Sequence, residues 1–145
     1  MQDLPHHYVV SARAAGKENV VVSSDNLPDI ETAGPPEFGG PGDVWSPETL
    51  LVAAVANCFV LSFRAIARTA KLDWLTLKCT AEGELNKIEK FTQFTDFKVR
   101  AKLTIPSEKD EKKAGVILQK AEKYCLVTNS MKADSHLEAE VVVTS

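Results

Sequence analysis

The residues of this chain best suited to chemistry are its three cysteines, Cys58, Cys79 and Cys125. A thiolate is a nucleophile, a metal ligand and a two-electron reductant, and its pKa and neighbours decide which role it takes. Three is an odd number, and the cysteines lie far apart, which argues against a disulfide scaffold and leaves room for one transient pair. Metal chemistry finds little support. There is no C-x-x-C and no H-E-x-x-H, and His6, His7 and His136 have no ligand spacing. A cysteine–histidine acyl-transfer pair would need His136 or His6 beside Cys58, and nothing local brings them there. Gly39-Gly40-Pro41-Gly42 lacks the Lys-Ser/Thr that completes a phosphate loop, so it reads as a flexible connection.

Each cysteine must be positioned by an element. Ser46 suits an N-cap, Pro47 the first helical position and Glu48 the positive end of the dipole, while Arg64, Arg68 and Lys71 fit the other end. A helix is expected from about Pro47 to Ala70, with Cys58 in its middle. The dipole effect fades within a turn, so a reactive Cys58 needs a cation or hydrogen bonds from elsewhere in the fold. The other reading is a small packing residue, because free cysteine is among the most buried side chains. Leu50 to Leu61 is apolar almost all round. Such a helix must be covered on every side, and one small sheet covers only one. A second subunit, or a second helix plus a second subunit, is expected to cover the rest.

Leu75, Leu77, Cys79, Ala81 and Leu85 alternate with polar residues, which predicts a half-buried strand with Cys79 facing inward as core. Phe91 to Ile105 is a second long strand, with the turn at Asn86 to Lys90 and the stop at Pro106. A second helix, capped by Ser107 or Asp110, buries Ala114, Ile117, Leu118 and Ala121, and the same stripe reaches Cys125 at its end. Val127 to Ala133 reads as a short connection, with room for one helical turn, before a last strand from Leu137 to Val143. Upstream, Tyr8 to Arg13 and Glu18 to Ser23 suit short strands, Leu27 to Thr32 suits a third, and Ala33 to Val44 is a Gly/Pro-rich loop. The order β-β-(β)-α-β-β-α-β describes one α+β domain over residues 1–145.

Several segments in this order resemble one family. Gly39-Gly40-Pro41-Gly42 leads into Ser46-Pro47-Glu48-Thr49-Leu50-Leu51, and Ala53-Ala54-Val55-Ala56-Asn57-Cys58-Phe59 follows, with Cys58 ten residues after Glu48. Later comes Ala121-Glu122-Lys123-Tyr124-Cys125-Leu126-Val127-Thr128-Asn129-Ser130, and earlier Val22-Ser23-Ser24-Asp25. The set resembles the OsmC/Ohr family, the osmotically inducible and organic hydroperoxide resistance proteins. The resemblance implies antiparallel sheets with two main helices, in an intertwined homodimer with a buried central helix and active sites at the interface. It implies a thiol-dependent peroxidase that reduces organic hydroperoxides without a cofactor or metal. Cys58 would be the peroxidatic cysteine and Cys125 the resolving one, and a dithiol reductant, commonly a lipoylated protein, would reopen their disulfide. Glu48 would hold the activating cation. Where the Ohr branch has an arginine, this chain has Lys17, a point charge in place of a planar fork. Lys17, Arg13 or Arg64 would then supply the charge, or Cys58 would be only weakly activated.

Leu51, Val55, Leu61 and Ser62 lie near Cys58 by helical spacing, and Phe38 and Trp45 border the preceding loop. Apolar surroundings of this kind favour bulky organic hydroperoxides over hydrogen peroxide. The net charge of -3 and the scattered placement of 17 basic residues predict no nucleic-acid partner. The polar start, Met1 to Pro5, does not read as a secretory signal, and the uncharged run Thr49 to Phe63 is shorter than the roughly 20 residues of a membrane span. A cytoplasmic protein is expected, with no membrane partner. The competing reading keeps the fold and drops the turnover: a redox-sensing or non-catalytic dimer that holds an apolar ligand at its subunit interface.

Overall fold

The computed structural model describes residues 1–144, which form two compact units, Met1–Leu51 and Val52–Ser145, the latter described to its residue 144. In the first unit, strands β1 (Ser11–Arg13), β2 (Val20–Ser23) and β3 (Ile30–Thr32) make an antiparallel sheet in that order. All three are shorter than the Val-rich runs suggest. Tyr8, Val9 and Val10 stay outside the ladder and exposed. The Gly/Pro-rich loop includes a single 3-10 turn, Pro36–Phe38. Gly40 packs so closely on the Gly34 carbonyl that no Cβ fits there. The loop ends at the start of helix α1 (Pro47–Thr69). Ser46 caps it as expected: its Oγ accepts the Thr49 N–H at 3.1 Å, while its own N–H donates to Thr49 Oγ1 at 2.8 Å.

The second unit holds most of α1, then β4 (Thr76–Ile88), β5 (Phe91–Ile105), α2 (Glu111–Lys123), the single turn α3 (Leu126–Asn129) and β6 (Asp134–Val143). Strand β5 begins at Phe91 as expected, while β4 runs three residues into the expected Asn86–Lys90 turn, because Asn86, Lys87 and Ile88 pair with Gln93, Thr92 and Phe91. The order is β4-β5-β6, with β4 antiparallel to β5 and β6 parallel to it. The second sheet is therefore mixed, because the chain leaves β5, passes through α2 and α3, and returns in the same direction. Asp110 flanks α2 without a side-chain capping bond, after a 3-10 turn at Glu108–Asp110.

One core joins these elements. Val55, Phe59, Phe63 and Ala67 form the buried stripe of α1. Phe97, Val99, Ala101, Leu103 and Ile105 face inward from β5, and Ala114, Ile117, Leu118 and Ala121 come from α2. Phe63 meets Trp74 edge-on, with ring centroids 5.3 Å apart. Gly83 lets β4 come close: a Cβ there would lie 2.9 Å from Phe94 and Val52 and 3.0 Å from Phe97. Phe63→Ala empties a fully buried site and is expected to cost about 3–5 kcal/mol, read from the shift in a urea unfolding midpoint.

Other apolar positions of α1 are less buried among the described residues. Leu51 is 36% and Leu61 50% exposed, and Ala65 is exposed too. By length and composition α1 is also sufficient to cross a membrane, contrary to what its uncharged run suggested, because the apolar stretch continues past Arg64. Its Val55-Phe59-Phe63-Ala67 stripe is nevertheless committed to the core.

Candidate active site

Helix α1 puts Cys58 half-exposed on its open side, one residue from the buried Phe59. The side chain faces a pocket of about 420 Å³ lined by Ala54, Asn57, Cys58, Leu61, Ser62, Ala65, Leu126 and Val127. Apart from Asn57, Ser62 and the thiol, these walls are apolar. Leu61 and Ser62 thus take the places the helical spacing gave them. Val55 is instead in the core, and Leu51, Phe38 and Trp45 are exposed elsewhere. Across the pocket, α2 ends at Lys123, and Cys125 stands at the N-cap of α3 with only 2% of its surface exposed.

The Cys125 and Cys58 thiols lie close enough to shift each other's acidity, so the structure brings together the two cysteines that the resemblance paired. Burial pushes the Cys58 thiol up, but four neutral donors outweigh it and leave its pKa below the ordinary thiol range. These are the Val127 N–H, the Cys125 thiol, the Ser62 hydroxyl and the Leu126 N–H. Leu126 and Val127 open α3, where the first N–H groups have no partner inside the helix and are free to meet an anion. This meets the requirement set by the sequence: Cys58 is too deep in its own helix to be activated by it, and a second helical turn supplies the donors. The two amides escaped the sequence reading. The available signal was the short turn after Cys125, but its aim at Cys58 is a tertiary fact. Burial raises the pKa of Cys125, and the Cys58 sulfur raises it further. Together they outweigh the Thr128 N–H and hydroxyl, which act in the other direction. The pair is thus polarised, with the anion favoured on the more exposed sulfur.

Cys79 faces inward from β4 against the core, as expected, and burial, followed by the charge of Cys125, pushes its thiol up to about 11. Alkylation with rising pH should therefore label Cys58 first, while Cys79 stays unmodified until strongly alkaline pH. Peptide mass spectrometry after timed iodoacetamide pulses reads this order.

The expected cation holders are less engaged. In the first unit, Glu48 Oε1 is buried with no hydrogen-bond partner, and neither Glu48 nor Lys17 forms an ion pair among the described residues. Lys17 lines a pocket with Glu18, Asn19, Phe38 and Gly39. Arg13 lies 3.7 Å from Asp29, and Arg64 is exposed. No group of three His, Cys, Asp or Glu side chains forms a metal-ligand set among the described residues.

The family model for OsmC-like proteins matches residues 40–140. The chain belongs to the OsmC-like protein family. That span takes in the end of the loop, the whole of α1 with Cys58, and the α2–α3 junction with Cys125. This OsmC-like protein is 25% identical to the uncharacterized protein YmaD of Bacillus subtilis, over 95% of each chain. Among solved structures, an OsmC-like protein of unknown function from Vibrio cholerae superposes with a TM-score of 0.85 at 18% identity, covering 93% of this chain and 99% of that one. An organic hydroperoxide resistance protein from Legionella pneumophila superposes at 0.77 with 25% identity, covering 97% and 100%.

Proposed function

We propose that this OsmC-like protein is a thiol-dependent peroxidase that reduces organic hydroperoxides through Cys58 and Cys125. The observation that carries the reading is the polarised thiol pair: a half-exposed Cys58 with a lowered pKa, lining an apolar pocket and interacting with a buried Cys125 whose pKa is raised. The Cys58 thiolate attacks the outer oxygen of ROOH. An S–O bond forms, the O–O bond breaks, and the alkoxide takes a proton from solvent to leave as ROH. Cys125 then attacks the sulfur of the Cys58 sulfenic acid, and its thiol proton and the departing hydroxide leave as water. A dithiol, such as a lipoyl group, reduces the disulfide by exchange and is itself oxidised.

The apolar walls fit the organic substituent of the peroxide better than they fit hydrogen peroxide. Glu48 is the acceptor for an activating cation, since a buried carboxylate oxygen without a partner is costly to keep so, and Lys17 is the candidate donor. The working form is a homodimer, supported by the open apolar side of α1 and the exposed Tyr8-Val9-Val10 segment. The two units work as one domain, and the protein acts in the cytoplasm. The competing reading, a redox-sensing dimer with an apolar ligand, is favoured by one observation: Glu48 and Lys17 form no ion pair among the described residues.

Steady-state consumption of cumene hydroperoxide and of hydrogen peroxide, with dihydrolipoamide as reductant, separates the two readings. Sustained turnover that is faster with the organic peroxide is expected. No turnover with either peroxide would favour the sensor.

A further inference from the structure

Ser62 stands one helical turn after Cys58, on the same side of α1, with its Oγ 3.9 Å from Cys58 Sγ. A serine inside a helix can turn its hydroxyl to solvent or back to the carbonyl four residues earlier. Thr69 takes the second course in this same helix, donating to the Ala65 carbonyl at 3.3 Å. For Ser62 that carbonyl belongs to Cys58, yet its hydroxyl meets the sulfur instead. Both residues also line the pocket, and the other polar side chain on its walls, Asn57, is uncharged.

We propose that Ser62 is a positioning residue that holds the Cys58 thiolate by donating its hydroxyl proton in a hydrogen bond, and so takes over part of the work of a local cation. The inference rests on Cys58 being the reacting thiol of the proposed function. Ser62 keeps its proton throughout. Its hydroxyl bonds to the thiolate before attack and, after attack, to the oxygen of the sulfenic acid. Across the pocket, the groups facing Cys58 are the Cys125 thiol, which is titratable, and the Leu126 and Val127 amides, which are not. Ser62 is therefore the donor on Cys58's own helix, and the others come from the α2–α3 junction.

The test follows the pH dependence of Cys58 alkylation by iodoacetamide in the reduced full-length protein, read at the Cys58 peptide. Wild type, Ser62→Ala and Ser62→Thr are compared, with each fold checked by its thermal transition. In Ser62→Ala the midpoint should move up, and labelling near neutral pH should slow about three- to tenfold. Ser62→Thr, which keeps the hydroxyl, should restore it. An unchanged midpoint and labelling rate in a folded Ser62→Ala would overturn the inference. This readout is independent of peroxide turnover. A shifted midpoint in a protein that never consumes cumene hydroperoxide would uphold Ser62 and sink the peroxidase reading. An unshifted midpoint in an active enzyme would do the reverse.

Discussion

Cys58→Ser should abolish hydroperoxide reduction, lowering the rate by about 10³-fold or more. A serine hydroxyl in the same place would meet the same Val127 and Leu126 amides. It is not ionised at neutral pH, however, and its oxygen, unlike sulfur, cannot be oxidised by the peroxide to a counterpart of the sulfenic acid. The substitution is nearly isosteric at a half-exposed site, so the fold should persist and the loss should be chemical. Cys79→Ser provides the contrast. Its thiol is pushed up to about 11 and faces the core from β4, so its removal should leave the rate within about twofold. Peroxide consumption by the three proteins, at matched concentration and with dithiol in excess, gives the comparison. A Cys58→Ser protein that retained much of the wild-type rate would mean that the reaction occurs elsewhere in the molecule.

Cys125→Ser should have an effect almost as large on turnover and little on the first step. The serine hydroxyl can still donate to the Cys58 thiolate, so the attack on the peroxide should survive. What is lost is the sulfur that closes the disulfide. Such a protein should consume one equivalent of cumene hydroperoxide in a burst and then slow by about 100-fold or more, as the sulfenic acid waits for an external thiol. The accumulated sulfenic acid on Cys58 can be trapped with dimedone and read by mass. A protein that cycled at the wild-type rate without Cys125 would show that the dithiol reduces the sulfenic acid directly, and Cys125 would then be a hydrogen-bond donor only.

The pH dependence of the first step follows from the same polarisation. Cys58 is an acid whose pKa is lowered by donors to its anion. Its reaction with peroxide should rise with pH and level off below the ordinary thiol range, with Cys125 still protonated.

Much of this was legible in the chain itself. The Ser46-Pro47-Glu48 start of α1, the β5 strand and the inward face of α2 each follow from local chemistry: a cap that saturates the first amides, alternation at period two, and a stripe at helical spacing. The pairing of Cys58 with Cys125 came from family resemblance and not from any local pattern, because 67 residues separate them. The two features that set the reactivity were the least readable. The donors are backbone amides of Leu126 and Val127, which leave no trace in side-chain type, and their direction depends on where α2 stops and α3 begins. The role of Ser62 could be narrowed to nearness by spacing, but the choice of sulfur over the Cys58 carbonyl is a matter of rotamer. The first sheet is shorter than its composition suggests for a related reason: Tyr8-Val9-Val10 has the composition of a strand but no partner strand among the described residues.

The central claim is that Cys58 and Cys125 act as one redox pair. The direct measurement is mass spectrometry, under non-reducing conditions, of reduced protein mixed with one equivalent of cumene hydroperoxide. The account predicts a Cys58–Cys125 disulfide within seconds, with Cys79 left as a free thiol. All three thiols still reduced after minutes in excess peroxide, or a disulfide that joins other cysteines, would contradict it.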